Sequence, residues 1–187
     1  MTVCAALANV TATSGVYVGV LGAGSSGSLA WTHVAVSAAL ANVKSATGGY
    51  AGVLGAGSVT AASWTYVTVS ADQADITSTA GSSVGILGAG CGNSVAWTNV
   101  GVSVALANVA SIAGSAVGIV GAGSFNSDVS WTNVTVSAAL VNVTSTAANA
   151  VGVVGAGSLS SSVRWTNVTV SAALASVTST AGSCVGV

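Results

Sequence analysis

The chain has 187 residues, 52 % of them hydrophobic and only 3 % charged, with a formal net charge of −1, 25 glycines and no proline. Disorder is excluded, because it accompanies low hydrophobicity and high net charge, and so is nucleic-acid binding, because Lys44 and Arg164 make no basic stripe able to track phosphates. A transmembrane segment is excluded as well: glycine, serine, threonine or asparagine interrupts every apolar run short of the ~18 residues a spanning helix needs.

The chain is a tandem repeat. Tryptophan falls at Trp31, Trp64, Trp97, Trp131 and Trp165, at spacings of 33, 33, 34 and 34, so that every tryptophan occupies one column of a repeating unit. Nine residues later come Leu40, Leu106, Leu140 and Leu174, with Leu7 in a partial first copy and Gln73 as the exception. Fifteen residues further on, a Gly-Ala-Gly triplet begins at Gly22, Gly55, Gly88, Gly121 and Gly155. The extra residue of the 34-residue copies falls between triplet and tryptophan, within 125–130 and 159–164, which marks an outward loop tolerant of length. A single tryptophan column supplies at most one of the two aromatic girdles of a membrane β-barrel.

In chain order each copy reads as three short strands, VTVS, NVTST and VGVLGAG, with a fourth at the Ser-Val-x-Trp segment. Valine and threonine, branched at Cβ, suit a pleated surface better than a helix. Met1 aligns with Val34, so the chain starts inside the first strand without the basic and apolar regions of a signal peptide, which points to a removed leader or a piece of a longer array. Period-two alternation in the first strand puts Val168 and Val170 on an inward face and Asn167, Thr169 and Ser171 outward. The second strand is expected to turn Leu174 and Val177 inward and Thr178 and Thr180 outward. In the third, Val151 and Val153 alternate with Gly152.

One such unit cannot close a core, but stacked copies can, each row of valine, leucine or tryptophan packing on its equivalent at ~4.8 Å per layer. The fold class expected is all-β: a parallel β-helix or β-solenoid with one 33–34 residue repeat per turn, a single domain over residues 1–187 of about 5.5 repeats, uncapped at both ends. Two coils of ~17 residues per repeat are the alternative. Its core stack is assigned to the tryptophan column and to Leu40, Leu106, Leu140 and Leu174. The scarcity of charge follows from stacking, since like charges one layer apart destabilise a sheet, whereas serine, threonine and asparagine stack and form hydrogen-bond ladders. In period, strand composition and asparagine-rich corners the whole chain resembles the pectin-lyase-like right-handed parallel β-helix proteins, many of them secreted or surface proteins. The acidic catalytic clusters of the polysaccharide-cleaving enzymes of that class have no counterpart here.

No residue set points to catalysis, metal or cofactor. His33 replaces the asparagine or tyrosine of other copies, without a carboxylate or cysteine near it in sequence or in adjacent layers. Asp72 and Asp75 replace alanine and asparagine in one copy and read as solvated variation, not as a facing carboxylate pair. Gly-Ala-Gly-Ser recurs with no following lysine, so it reads as a corner, not a phosphate loop. Cys4, Cys91 and Cys184 replace serine in different columns without metal-ligand spacing, and Cys4 and Cys184, at opposite ends, are candidates for a disulfide at an end-to-end junction. Asn9, Asn133, Asn142 and Asn167 head Asn-Val-Thr sequons that should face solvent and are glycosylation candidates in a secreted chain. The pairs Thr11 and Thr13, Thr77 and Thr79, Thr144 and Thr146, and Thr178 and Thr180 form outward ranks like those of ice-binding β-solenoids, interrupted at 45–47 and 111–113. The function expected is a non-enzymatic, cofactor-free structural subunit or segment of a rigid extracellular fibre or surface coat. It would stack end to end on itself, with ice binding as the alternative.

Overall fold

The structure is a computed structural model that describes the backbone of residues 1–47, 49–58, 60–80, 83–91, 94–124, 129–158, 163–180 and 182–186. Its strands are β1 (Thr2–Ala12), β2 (Tyr17–Ser25), β3 (Leu29–Ser45), β4 (Tyr50–Ser58), β5 (Ala61–Ala80), β6 (Ser83–Val84), β7 (Leu87–Cys91), β8 (Ser94–Ser124), β9 (Val129–Ser158), β10 (Val163–Ser179) and β11 (Gly182–Gly186). Pairing is parallel and runs at the repeat length throughout: Trp31 sits opposite Trp64, Trp64 opposite Trp97, Trp97 opposite Trp131 and Trp131 opposite Trp165. The molecule is therefore a parallel β-solenoid with one repeat per turn, and the two-coil alternative, which would pair residues half a repeat apart, does not describe it. Of the length-tolerant loop, residues 125–128 and 159–162 lie outside the described ones.

Strands continue around the corners of each turn, and the corners are marked by a slip in alternation. In β5 the buried residues are Ala62 and Trp64, then Val67, Val69 and Ala71, then Ala74, Ile76 and Ser78. Between these groups two consecutive residues stay outside the buried set, Thr65 with Tyr66 and then Asp72 with Gln73. The first corner is a left-handed residue: His33, Tyr66, Asn99, Asn133 and Asn167 all have φ between 51° and 54°. Asparagine adopts that conformation more readily than most residues, which accounts for the Trp-Thr-Asn of three copies.

The second slip overturns part of the expected core. A shift of one residue sends a side chain to the opposite face, and with small apolar residues buried on both sides of it (Ala38 and Ala41, Ala138 and Val141 in a later turn) the leucine column points outward. Leu40, Leu106, Leu140 and Leu174 are 42 %, 41 %, 47 % and 67 % exposed. They are a surface rank, not a core stack. Tryptophan does line the interior: Trp64, Trp97 and Trp131 are fully buried, Trp31 is half-buried, and Trp165 in the last turn is exposed. Their rings lie with centroids 5.0–5.3 Å apart, stacked from Trp64 to Trp165 and tilted by 34° between Trp31 and Trp64, within the favourable range for aromatic pairs.

In the same core cluster as the buried alanines lie Val53, Leu54, Ile86, Leu87, Ile119 and Val120, all fully buried. These form the tip of a tight arc in the third strand segment, and the glycines on either side of the tip make it feasible. A Cβ on Gly85 would run into the Gly118 carbonyl and lie 2.8 Å from the Gly121 nitrogen. One on Gly88 would collide with the Ala51 carbonyl and lie 2.9 Å from that of Ser83 in its own turn. The obstacles are backbone atoms, which cannot rotate away, so Gly-x-x-Gly is the sequence signature of the arc. At its mouth the Tyr17 ring lies against Gly24 and stacks on Tyr50 at 5.4 Å.

Candidate functional site: stacked ranks on the solenoid surface

Because each residue sits above its equivalent, the surface is a set of ranks along the axis, and any chemistry it offers is repeated layer by layer. Two ranks are amide ladders. At the left-handed corner Asn167 Nδ2 donates to Asn133 Oδ1 at 3.2 Å, and Asn133 Nδ2 to Asn99 Oδ1 at 3.0 Å. On the following segment Asn142 Nδ2 donates to Asn108 Oδ1 at 3.3 Å, and Asn108 Nδ2 to Asp75 Oδ1 at 3.2 Å. In every rung the later turn donates to the earlier one, so the ladders have a direction. Asp75 interrupts the second: an ionised carboxylate has no hydrogen to donate, and Asn42 Oδ1 beneath it is buried without a partner. The corner ladder gives way in the earlier turns to an aromatic pair, His33 stacked on Tyr66 at 4.8 Å.

The sequon asparagines Asn133, Asn142 and Asn167 are exposed, as is Asn9. The nitrogen that a glycan would occupy is, in the first three, the donor of a rung. Asn133 and Asn167 stand at corners of left-handed backbone and not on the flat of a strand.

The threonine ranks behave differently from a free hydroxyl plane. Thr146 Oγ1 donates to the Ile112 carbonyl at 2.6 Å and Thr180 Oγ1 to the Thr146 carbonyl at 2.8 Å, so these hydroxyls satisfy corner backbone of the preceding turn. Thr11, Thr13, Thr77, Thr79 and Thr178 are exposed and Thr144 is half-buried, while Lys44 and Ala110 stand between them in register. Cys4 is a free, exposed thiol in the rank of Ser37. Cys184 continues the column of Tyr50, Ser83, Ala116 and Ala150, and its side chain lies outside the described ones, as does that of Cys91. An in-register junction would place Cys4 over the serine rank and Cys184 under the tyrosine column, so it would not bring the two thiols together.

Among the described residues, no three His, Cys, Asp or Glu side chains gather as a metal site, and no helix is long and apolar enough to cross a membrane. Asp72 is exposed and Asp75 half-buried. Burial pushes the Tyr17 hydroxyl above the ordinary tyrosine value. In the interior, Trp64, Trp97 and Trp131 Nε1 and Ser78, Ser111 and Ser145 Oγ have no hydrogen-bond partner. Each such buried group costs free energy, and we have no physical account of why the repeat keeps them.

Searches against protein-family models, curated proteins and solved structures found no match. Sequence reasoning missed the outward leucine rank and the direction of the ladders. Ala-Ala-Leu-Ala carries no mark of the first, because plain alternation through Val36 and Ala38 leads on to Leu40.

Proposed function

We propose that this chain is a structural building unit, a rigid β-solenoid rod that lengthens by adding turns and so forms part of an extracellular fibre or surface coat, with further copies of itself as its partner. The uniform parallel register carries this reading. Every turn meets the next in parallel with equivalent residues opposite each other, so in that register the outer edge of the last turn fits the outer edge of a first turn and not itself. Such heterologous contacts do not close into a dimer; repeated, they generate a filament. Stacked tryptophans and valines add apolar burial to each new layer, and a net charge of −1 offers little repulsion between copies. Three of the sequon asparagines, Asn133, Asn142 and Asn167, serve here as rungs.

Electron microscopy and sedimentation of the purified protein test the reading. Particles should lengthen with concentration at constant width, and Trp165→Lys, on the face of the last turn, should stop the growth while leaving the strand spectrum intact. Particles of one length at every concentration, unaffected by that substitution, would refute it.

A further inference from the structure

The boundaries between turns are not alike. From β5 to β10 the amide ranks tie each turn to the next, through Asn108 on Asp75, Asn142 on Asn108, Asn133 on Asn99 and Asn167 on Asn133. Between β3 and β5 the register sets Asn42 opposite Asp75. The oxygen that a rung would satisfy there, Asn42 Oδ1, is buried without a partner, since the carboxylate above it has no hydrogen to donate. The same two strands hold the tryptophan pair that is out of line. Trp31 and Trp64 are tilted by 34°, against 8–10° for the three pairs that follow. Val34 still pairs with Val67 and Val36 with Val69, and His33 stacks on Tyr66 at 4.8 Å, so the two turns are joined, but with less than their neighbours have.

We infer that the boundary between β3 and β5 is a parting seam, at which the solenoid opens locally before the boundaries from β5 to β10 do. Opening any boundary exposes apolar rows and releases backbone hydrogen bonds, and those costs are similar from turn to turn because the same columns recur. Opening a boundary above β5 also breaks a rung of an amide ladder. Opening the seam breaks none, and it lets water reach an oxygen that the closed form leaves unsatisfied, so the closed form is less favoured here than elsewhere. Local openings of a folded chain are ordered by differences of this kind. In a rod of many copies the seam recurs once per chain, and a break there leaves two unpaired strand edges on which growth can resume. That consequence rests on the lengthwise reading, whereas the seam itself belongs to the single chain.

Hydrogen exchange read by mass spectrometry on the dilute full chain tests the seam. A class of amides within 34–45 and 67–78 should exchange about tenfold faster than those within 134–143. Asp75→Asn, which supplies the missing donor, should slow that class about tenfold. Asp72→Asn makes the same change of charge on an exposed residue outside the ladder and should leave it unchanged. Asn142→Asp sets a carboxylate over Asn108 Oδ1 as Asp75 stands over Asn42, and should create a second fast class within 100–109 and 134–143. Exchange that rises smoothly toward residue 1 whether or not Asp75 is replaced, an equal response to Asp72→Asn and Asp75→Asn, or indifference to Asn142→Asp would overturn the seam. Filaments formed by a chain of uniform exchange would defeat this inference alone, and a fast seam in a chain that never lengthens would defeat the lengthwise reading alone.

Discussion

Replacing Trp97 by alanine and Leu106 by glutamine separates the core seen in the structure from the one the repeat columns suggest. Trp97 is fully buried, with ring neighbours at 5.3 Å and 5.0 Å. Truncating a buried aromatic to alanine costs about 3–5 kcal/mol in lost transfer and cavity formation. Its Nε1 has no partner in the folded chain, so removing it returns on the order of 1 kcal/mol and leaves a net loss of about 2–4 kcal/mol. Leu106 is 41 % exposed and Gln73 already occupies its column one turn earlier, so Leu106→Gln should stay within about 1 kcal/mol. Urea unfolding followed by far-ultraviolet dichroism reads both through the midpoint, compared at equal m because a stacked repeat unfolds as coupled units. Near-equal midpoint shifts for the two variants would refute the outward placement of the leucines.

The glycines divide in the same way. Gly85→Ala drives a Cβ into the backbone of the next turn and should cost about 3 kcal/mol or more, whereas Gly101→Ala, with nothing within 4 Å, should be neutral or stabilising by about 0.5 kcal/mol; equal midpoints would contradict the arc. Asp75→Asn gives Asn42 Oδ1 a donor while keeping the rung from Asn108, and should raise stability by about 1 kcal/mol; a lower thermal midpoint at neutral pH would sink the ladder account. Ser111→Ala removes a buried hydroxyl with no partner and should stabilise by about 1 kcal/mol. A clear loss there would mean that the hydroxyl is satisfied in solution.

The architecture was legible because stacking leaves a periodic record. A tryptophan column at one spacing could arise only if equivalent residues meet, and the shortage of charge followed from the same contact. What stayed hidden was the phase at the corners. Alternation read through Val34, Val36 and Ala38 would bury Leu40, and hydrophobicity alone favours that choice. The slip at Ala39 and Leu40 becomes visible only in the structure, where Ala38 and Ala41, three residues apart, are both buried. The left-handed corner was half-hidden because His33 and Tyr66 replace asparagine there. Sequons on Asn133 and Asn167 read as modification signals in the sequence, while their part as rungs depends on a neighbour one repeat away. Ladder direction has no trace in the sequence, since it depends on which way each amide turns.

The account rests on one repeat forming one layer, and on layers continuing from chain to chain. Cryo-electron microscopy of the native material tests both at once. It should show unbroken ~4.8 Å layering across chain boundaries, one tryptophan per layer in a single axial column and outward leucines at the same spacing. Discrete particles whose terminal layers are covered by other structure, or a tryptophan in every second layer only, would contradict it.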